Sequence, residues 1–486
     1  MSARVGAPGH APAAAGVLSA GRIALCLGFA ALLLWPMALV STPIVYFDSY
    51  AYDSAGRAAL AILRDLLPAA EAPAGGGGGG APAGEGGGGG IGALRSAAWS
   101  VTLALLGGMP WGAVALCALQ TAATLLVCGA LVPPGTAMPP VRWVPAAAGI
   151  ALLTGLPWYA SYAMPDILGA LVIAYYAAVA SGAVRGAPVA VALSALATFA
   201  ILGHYGHVPL AAGLAVVVAA MRWRRLGAAG WAMLAAPIVL AVAVNLATSA
   251  ALARVALAPP APPAAAASAP APPALPSATP RRLPILLART IEDGPGLRHL
   301  REACARGLYA TCDLFDPLPA TATAFLWGPD GIRTLSPAEM AILRAEEGRI
   351  VLGAARAYPA AQAGAFARNV AEQLALVGVD QHFAAPPPAP GEAGRPNGAL
   401  ALADRAVPLV TALAAAVLLW RLASGRLASA LRPALWVLAA GLLINALVYG
   451  GLSYPVDRYG GRIAWLIPAL LALDLALGGR ARRPAP

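Results

Sequence analysis

Two carboxylates stand directly after the first long apolar segment, in the stretch of residues 46–53 that reads Tyr-Phe-Asp-Ser-Tyr-Ala-Tyr-Asp. The preceding residues 22–45 are apolar over more than the roughly 20 residues that a helix needs to cross a bilayer. Asp48 and Asp53 therefore stand where a membrane helix meets water, and a carboxylate at that border is a candidate functional group if it faces a polar cavity. The alternative is that Asp48 only begins a surface helix and accepts hydrogen bonds from its first amides.

Further residues that could bind or react stand in three later segments: Asp166, His204, His207, Asp457, Arg458, Tyr459 and Arg462. Each has a structural alternative. Asp166 suits the first turn of a helix, where the helix dipole favours an acid. The histidine pair lacks a third metal ligand, so it is better suited to hydrogen bonds at a helix end than to a metal site. Asp457 can form a local ion pair with Arg458, and tyrosines are common anchors at membrane interfaces.

The elements that must position these residues are membrane helices. Hydrophobic residues make up 59% of the chain and charged residues only 11%, whereas an average soluble protein is about one-quarter charged. The sequence predicts an all-α polytopic membrane protein with about ten transmembrane helices and a small, mainly helical extracytoplasmic domain. The predicted spans are residues 22–45, 110–132, 143–156, 165–182, 188–202, 208–221, 231–250, 406–420, 433–452 and 463–477.

The arginines predict the orientation of these spans. The net charge of +11 comes from arginine alone, because the chain contains no lysine. With the N-terminus inside, the inner segments carry thirteen arginines, and the outer segments of the membrane part carry five, Arg57, Arg64, Arg95, Arg458 and Arg462. This asymmetry agrees with the positive-inside rule. It predicts cytoplasmic tails at residues 1–21 and 479–486, and membrane lipids rather than nucleic acid as the partners of the basic loops.

Low-complexity segments divide the chain into parts. The predicted division is a first membrane part of seven helices (22–257), whose outer loop 46–109 contains a Gly-rich linker (74–90); a Pro/Ala linker (258–280); a helical module (281–383); a Pro-rich linker (384–404); and a second membrane part of three helices (405–478). Residues 54–67 are predicted to form an amphipathic helix in the interface plane, and residues 97–106 a re-entrant or interfacial helix.

The helical module carries two specific predictions. Ser336-Pro-Ala-Glu339 is a capping box that predicts a helix to about residue 357, and Pro359 opens another that should run to Gly378. Cys304 and Cys312 both lie in this module, where an oxidising compartment would favour a disulfide between them. Free or metal-binding thiols are the alternative.

With the predicted topology, the candidate acids, histidines and arginines all fall in separate loops on one side of the membrane, which is the arrangement expected of a site. The membrane part of the chain resembles the GT-C superfamily of polytopic glycosyltransferases. It is similar to the branch that holds the protein O-mannosyltransferases and the lipid-A aminoarabinose transferases. The resemblance is carried by the acidic loop after the first span, by Met164-Pro-Asp166 opening a later span, and by Asp457-Arg-Tyr459 followed by Arg462. Two features depart from the family: the first-loop acids are five residues apart rather than adjacent, and the helical module has no counterpart.

The resemblance implies a bacterial inner-membrane enzyme that moves a sugar from a polyprenyl-phosphate donor to a lipid, glycan or protein acceptor, with inversion. Asp48 would be the base that deprotonates the acceptor hydroxyl. Asp53 and Asp166 would orient hydroxyl groups or hold a divalent cation such as Mg or Mn. Arg458 and Arg462 would bind the phosphate, the Asp457–Tyr459 segment would contribute to that site, and His204 or His207 would donate to the phosphate.

Two other functions remain open at the level of sequence. A transporter or flippase of a lipid-linked or anionic substrate would have broken helices and polar residues near the bilayer midplane, for which Asn245 and Asn445 are the candidates. A membrane assembly protein would use the helical module to bind a partner, and its acids would then tolerate substitution.

Overall fold

The computed structural model describes residues 19–66, 96–132, 140–257, 283–379 and 398–477. Within these residues every regular element is helical, and the one β contact is an isolated bridge between Ile44 and Tyr162. The predicted Gly-rich linker (74–90), the Pro/Ala linker (258–280), most of the Pro-rich linker (384–404) and nearly all of both tails lie outside the described residues.

Eleven helices among the described residues precede the helical module. They are α1 (Ala20–Leu33), α2 (Pro36–Leu39), α3 (Phe47–Leu66), α4 (Ala97–Leu105), α5 (Trp111–Gly129), α6 (Pro140–Leu153), α7 (Leu156–Ser161), α8 (Leu168–Ser181), α9 (Ala187–Gly203), α10 (His207–Arg222) and α11 (Ala228–Leu257).

The module and the second membrane part supply the rest. The module contains α12 (Ile285–Glu292), α13 (Pro295–Cys304), a 3₁₀ turn (Ala310–Leu314), α14 (Ala322–Trp327), α15 (Pro337–Ala357) and α16 (Pro359–Ala375). The second membrane part contains α17 (Gly398–Ala423), a 3₁₀ turn (Ser429–Leu431), α18 (Arg432–Asn445), a π-helical segment (Ala446–Gly451), α19 (Asp457–Ala464) and α20 (Leu466–Leu477).

Six helical stretches of the described residues are long and apolar enough to cross a membrane, so the chain has the character of an all-helical multi-pass membrane protein. They are Ala20–Leu39, Trp111–Gly129, Ala228–Thr248, Gly398–Ala423, Ser429–Gly451 and Asp457–Leu477. Four shorter apolar helices overlap the remaining predicted spans: Val144–Leu153, Leu168–Ser181, Ala187–Gly203 and His207–Arg222.

Helix α3 begins earlier than the amphipathic helix predicted at residues 54–67. It starts at Phe47, so Asp48 and Asp53 both lie within it. Asp48 occupies its first turn, where a negative charge is favoured by the helix dipole. The predicted short helix α4 packs along α3, and Gly56 permits this close approach because a Cβ there would overlap the backbone of Ser100.

The helical module has its own core, formed by buried side chains that include Leu287, Phe325, Leu343 and Ile350. Its capping box is present, since Ser336 Oγ accepts from Glu339 N at 3.3 Å and Glu339 Oε2 accepts from Ser336 N at 2.7 Å. The helix that follows ends at Ala357 as predicted. Cys304 and Cys312 lie at disulfide distance, with their Cα atoms 5.4 Å apart.

The last helix of the module ends before the predicted residue 378. Helix α16 ends at Ala375, and the N–H of Gly378 donates to Asp457 Oδ1 at 2.7 Å instead of continuing a helical ladder. The module is therefore tied to the second membrane part, and α16 packs against the π-helical segment and α19.

Candidate functional site

The isolated bridge between Ile44 and Tyr162 aligns two segments that each lead to a candidate acid. Ile44 N donates to Ser161 O at 3.3 Å, and Ala163 N donates to Ile44 O at 2.9 Å. The two segments run parallel, and four residues further along each of them stand Asp48 and Asp166. This local register brings carboxylates from distant parts of the sequence to one place.

Helix α19 supplies two cations to the same place. Arg458 and Arg462 are four residues apart and thus share one face of the helix. Both are buried, with exposures of 7% for Arg458 and 0% for Arg462. A buried guanidinium is tolerated only when charge and hydrogen bonds compensate its desolvation, so the partners of these two side chains decide what the site is.

Asp166 is the main counterion of both arginines. Arg458 binds it with two hydrogen bonds, from Nε to Oδ1 at 2.8 Å and from Nη2 to Oδ2 at 2.9 Å. Arg462 Nη1 donates to Asp166 Oδ1 at 3.2 Å. Asp48 Oδ2 accepts from Arg458 Nη1 at the longer distance of 3.3 Å. We call Asp48, Asp166, Arg458 and Arg462 the arginine cluster; its formal charges balance.

Three tyrosines surround the guanidinium groups. The Arg458 Cζ atom lies 4.5 Å from the ring centre of Tyr46, and the Arg462 Cζ atom lies 4.1 Å from that of Tyr449. Tyr459 stacks on Tyr449 with 4.5 Å between ring centres. The aromatic faces attract the cations and exclude water from them. Burial raises the pKa of the Tyr46 hydroxyl, which therefore stays neutral at physiological pH.

The two histidines lie beside the cluster and have different hydrogen-bonding roles. His204 Nδ1 accepts from Gly206 N at 3.1 Å, so its proton is on Nε2. Burial, followed by the charge of Arg462, lowers the pKa of His204 well below its usual value, so the ring is neutral. His207 Nδ1 lies 2.7 Å from the carbonyl oxygen of Ala200 and so carries the proton. Neutral His207 therefore offers only an acceptor at Nε2, and of the two rings only His204 retains a donor for an anion.

Asp53 lies apart from the arginine cluster. Five residues of an α-helix turn through about 140° relative to the starting face, so Asp53 points away from the side that carries Asp48. Its Oδ2 accepts from Arg57 at 3.0 and 2.7 Å, and its Oδ1 accepts from Met109 N at 3.2 Å. In this structure Asp53 fastens the turn before α5 to α3.

The carboxylates do not converge on a cation. Asp53 and Asp166 are held in different places, and each already pairs with arginine. No group of three or more His, Cys, Asp or Glu side chains among the described residues could hold a metal ion. The residues present do not fit the divalent cation that the sequence resemblance allowed, so no catalytic step is assigned to one.

Asp457 and Tyr459 flank Arg458 and have different surroundings. The Asp457 carboxylate accepts from Gly378 N of the helical module, while its backbone carbonyl accepts from Tyr159 Oη at 3.1 Å. Tyr459 instead faces both arginines, with its ring centre 5.8 Å from Arg458 Cζ and 5.1 Å from Arg462 Cζ. Asp457 thus binds the module, and Tyr459 belongs to the aromatic wall.

Sequence reasoning missed two polar contacts. Asn445, considered only as a transporter residue, accepts from Arg462 Nη2 at 3.3 Å and donates to the carbonyl of Tyr459 at 2.8 Å. Asp474 lies fully buried near the C-terminal end of α20, away from α19, and pairs there with Arg421 of α17. An isolated polar residue inside an apolar span was the available signal in both cases.

An apolar groove lies along α20, the helix that follows α19 in the sequence. It has a volume of about 800 Å³ and lies between α6, α17 and α20, with Thr154 and Pro468 among its lining residues. Its lining also includes Leu413 and Leu475, which are exposed on the surface of the helices. Gly155, next to Thr154, packs against α19, since a Cβ at Gly155 would lie in ordinary van der Waals contact with the carbonyl oxygen of Gly461, 3.5 Å away. The groove therefore runs along α20, and one of its lining residues, Thr154, is adjacent in sequence to a contact with α19.

Fold and site together define an all-helical, multi-pass membrane protein in which consecutive helices carry the buried arginines and line an apolar groove. No protein-family model, curated protein or solved structure matches the chain.

Proposed function

We propose that the protein is a GT-C-type glycosyltransferase that moves a sugar from a polyprenyl-phosphate donor to an acceptor hydroxyl on the outer face of a bacterial inner membrane. In this proposal the four shorter apolar helices also span, which makes ten spans with cytoplasmic termini. The helical module then lies outside, where its cysteine pair would be oxidised. One observation carries the proposal: of two consecutive helices, α19 contributes the two arginines of the cluster and α20 contributes one wall of the apolar groove.

The groove and the cluster match the two ends of a lipid phosphate. A polyprenyl chain is apolar and needs a surface from which water is absent, which the groove supplies along α6, α17 and α20. A phosphate needs directed donors, and guanidinium groups bind it in bidentate fashion. From Arg462 to Pro468 the helical rise is about 9 Å, so head group and chain can be bound at the same time.

The two acids of the cluster have different roles in this proposal. Asp166 receives three hydrogen bonds from the arginines, so it fixes their position and is a poor proton acceptor. Asp48 has the longer contact with Arg458. A donor phosphate that takes up Arg458 Nη1 would weaken that contact and so reduce the positive charge that opposes protonation of the Asp48 carboxylate.

Sugar transfer at this site is a single displacement. The acceptor O–H transfers its proton to Asp48, and its oxygen forms a bond to the anomeric carbon. The bond between that carbon and the phosphate oxygen breaks, and its electron pair leaves with the polyprenyl phosphate. Arg458 and Arg462 stabilise the negative charge that develops on the leaving phosphate, and neutral His204 can donate to it from Nε2. Attack opposite the leaving group inverts the anomeric configuration.

Transport is the second candidate, because the structure contains the interrupted helices that transporters use. Helix α18 gives way to a π-helical segment, and α19 and α20 are separate helices within one apolar stretch. Against transport, Asn445 belongs to the surroundings of the arginine cluster, and Asn245 lies half-buried in α11. A transporter would move labelled lipid without forming a glycosidic bond.

The test is sugar transfer by the full chain in lipid nanodiscs, supplied with labelled polyprenyl-phosphate sugars and a membrane extract as acceptor. Asp48→Asn keeps the size of the side chain and removes the base, so we expect transfer to fall by about 10²–10⁴-fold. Binding of polyprenyl phosphate should persist. Asp53→Asn is the matched control on the same helix and should retain transfer. Wild-type transfer rates in Asp48→Asn would eliminate Asp48 as the base.

A further inference from the structure

The last helix of the helical module, α16, forms hydrogen bonds with the backbone just before α19, the helix that carries Arg458 and Arg462. Gln373 is 1% exposed. Its Nε2 donates to the carbonyl of Val456 at 3.0 Å, and its Oε1 accepts from Val456 N at 3.1 Å. One side chain thus satisfies both backbone groups of Val456, the N-cap residue of α19. This pairing fixes where the helix starts.

The segment after that helix makes a second set of bonds to the membrane part. Gly378 N donates to Asp457 Oδ1 at 2.7 Å, and Val379 N donates to Asp404 Oδ1 at 2.8 Å. From the other side, Tyr159 Oη donates to Gly378 O at 2.9 Å, and Tyr162 Oη donates to Val379 O at 2.7 Å. Tyr162 also forms the bridge that aligns Asp48 with Asp166. Residues 378–379 therefore contact both α19 and Tyr162, whose bridge to Ile44 aligns Asp48 with Asp166.

Glycines on the membrane part make this contact possible. A Cβ at Gly460 would overlap the carbonyl oxygen of Leu376, and a Cβ at Gly461 would overlap that of Gly378. Gly450 and Gly451 leave space in the same way for Gln373 and for Phe366 of α16. Four glycines facing one partner leave no room for larger side chains, so the contact is a built interface.

We propose that the helical module positions the arginine cluster: Gln373 and Gly378 fix Val456 and Asp457, and thereby the Arg458 side chain that follows them. Arg458 lies in the first turn of α19, and the end of a helix frays unless other groups bind it. External bonds to its N-terminal end therefore decide how firmly Arg458 meets Asp166 and Asp48. The significance of this positioning for catalysis rests on the proposed function, but the mechanical link, by which Gln373 and Gly378 order residues 456–462, does not.

The test compares Gln373→Ala with the matched control Glu372→Gln, which changes an exposed neighbour on the same helix. Amide hydrogen exchange of the full chain in nanodiscs measures the order of residues 456–462. Binding of polyprenyl phosphate and of the uncharged polyprenol, each measured separately, shows whether the head-group site has changed. Losing two buried hydrogen bonds should speed exchange at residues 456–462 by about tenfold and weaken phosphate binding by a similar factor. Polyprenol binding and the control variant should be unchanged.

Unaltered exchange at residues 456–462 in Gln373→Ala would overturn the inference. Faster exchange with an unaltered ratio of phosphate to alcohol affinity would also overturn it, because the module would then be only a structural support. If Gln373→Ala does not fold, Gln373→Glu retains the acceptor for Val456 N and should give the same changes at smaller size. A wild-type protein that binds no polyprenyl phosphate would defeat the proposed function, and the exchange rates alone would then decide the mechanical link.

Discussion

Substitution of Asp166 by asparagine should destabilise the protein far more than the same change at Asp48. The Asp166→Asn variant would leave two buried guanidinium groups with one carboxylate, and the new amide NH₂ would face a guanidinium donor. Removing one partner of a buried ion pair costs about 3–5 kcal/mol. Asp48 contacts Arg458 at the longer distance of 3.3 Å, from a side chain that is 11% exposed, so loss of this contact should cost about 1 kcal/mol.

The assay is equilibrium unfolding of the purified full chain in mixed micelles, with wild type, Asp166→Asn and Asp48→Asn measured side by side. A double-mutant cycle that adds Arg462→Gln to Asp166→Asn separates the pair interaction from general loss of packing. It should show a coupling energy of about 0.5–3 kcal/mol, because the excess cation is removed together with its partner. Equal losses of stability for the two asparagine variants, or a zero coupling energy, would refute the assignment of Asp166 as the main counterion.

Two further predictions concern the module and the groove. Burial raises the pKa of Glu346, but hydrogen bonds from Thr311 and Ala310 outweigh it and lower that pKa overall. The stabilisation from Glu346 is therefore complete above the ordinary pKa of 4.5 and is lost as pH falls through the lowered value. In limited proteolysis measured over a series of pH values, Glu346→Gln should weaken the loss of protection at acid pH. An unchanged loss of protection in this variant would contradict the prediction. Gly149 lines the groove with open space beside it, so a phenylalanine there would fill part of the groove. Gly149→Phe should weaken binding of a long-chain polyprenyl phosphate several-fold and leave binding of a short-chain analogue unchanged. Equal loss of affinity for both chains would count against the groove as the binding site of the prenyl chain.

The elements of the fold were predictable where the signal was local. Apolar length predicted the membrane helices, and the Ser336 capping box predicted the start of α15, because both depend on neighbouring residues alone. The start of α3 agrees with the alternative that Asp48 begins a surface helix, whereas the amphipathic helix predicted at residues 54–67 begins too late, because Tyr46 and Phe47 suggest a membrane interface. The end of α16 was missed because a partner distant in sequence, Asp457, binds Gly378.

The site was predictable as a set of residues but not as an arrangement. Reasoning from topology placed the acids and arginines on one side, yet the bridge between Ile44 and Tyr162 that pairs Asp48 with Asp166 depends on register between distant segments. For the same reason the sequence did not show that Asp48 and Asp53 lie on different faces of one helix, α3. The contact of Gln373 with Val456 had no sequence signal, since a glutamine in a helix is usually exposed.

The arginine cluster differs from the buried ion pair of Asp474 and Arg421 in how the donors of its guanidinium groups are satisfied. Asp474 uses one oxygen for Arg421 and the other for the backbone N–H of Ala428, so both oxygens of that acid have partners, and the Arg421 side chain is 14% exposed and can donate its remaining N–H groups to water. In the arginine cluster each guanidinium carries five N–H groups, and Arg462 Nε is buried with no partner among the described residues. Donors in excess of protein acceptors are costly in a dry site unless an anion or water completes them. A phosphate beside Arg458 and Arg462 would supply acceptors for these donors, in addition to the two carboxylates that already balance the charge of the arginines.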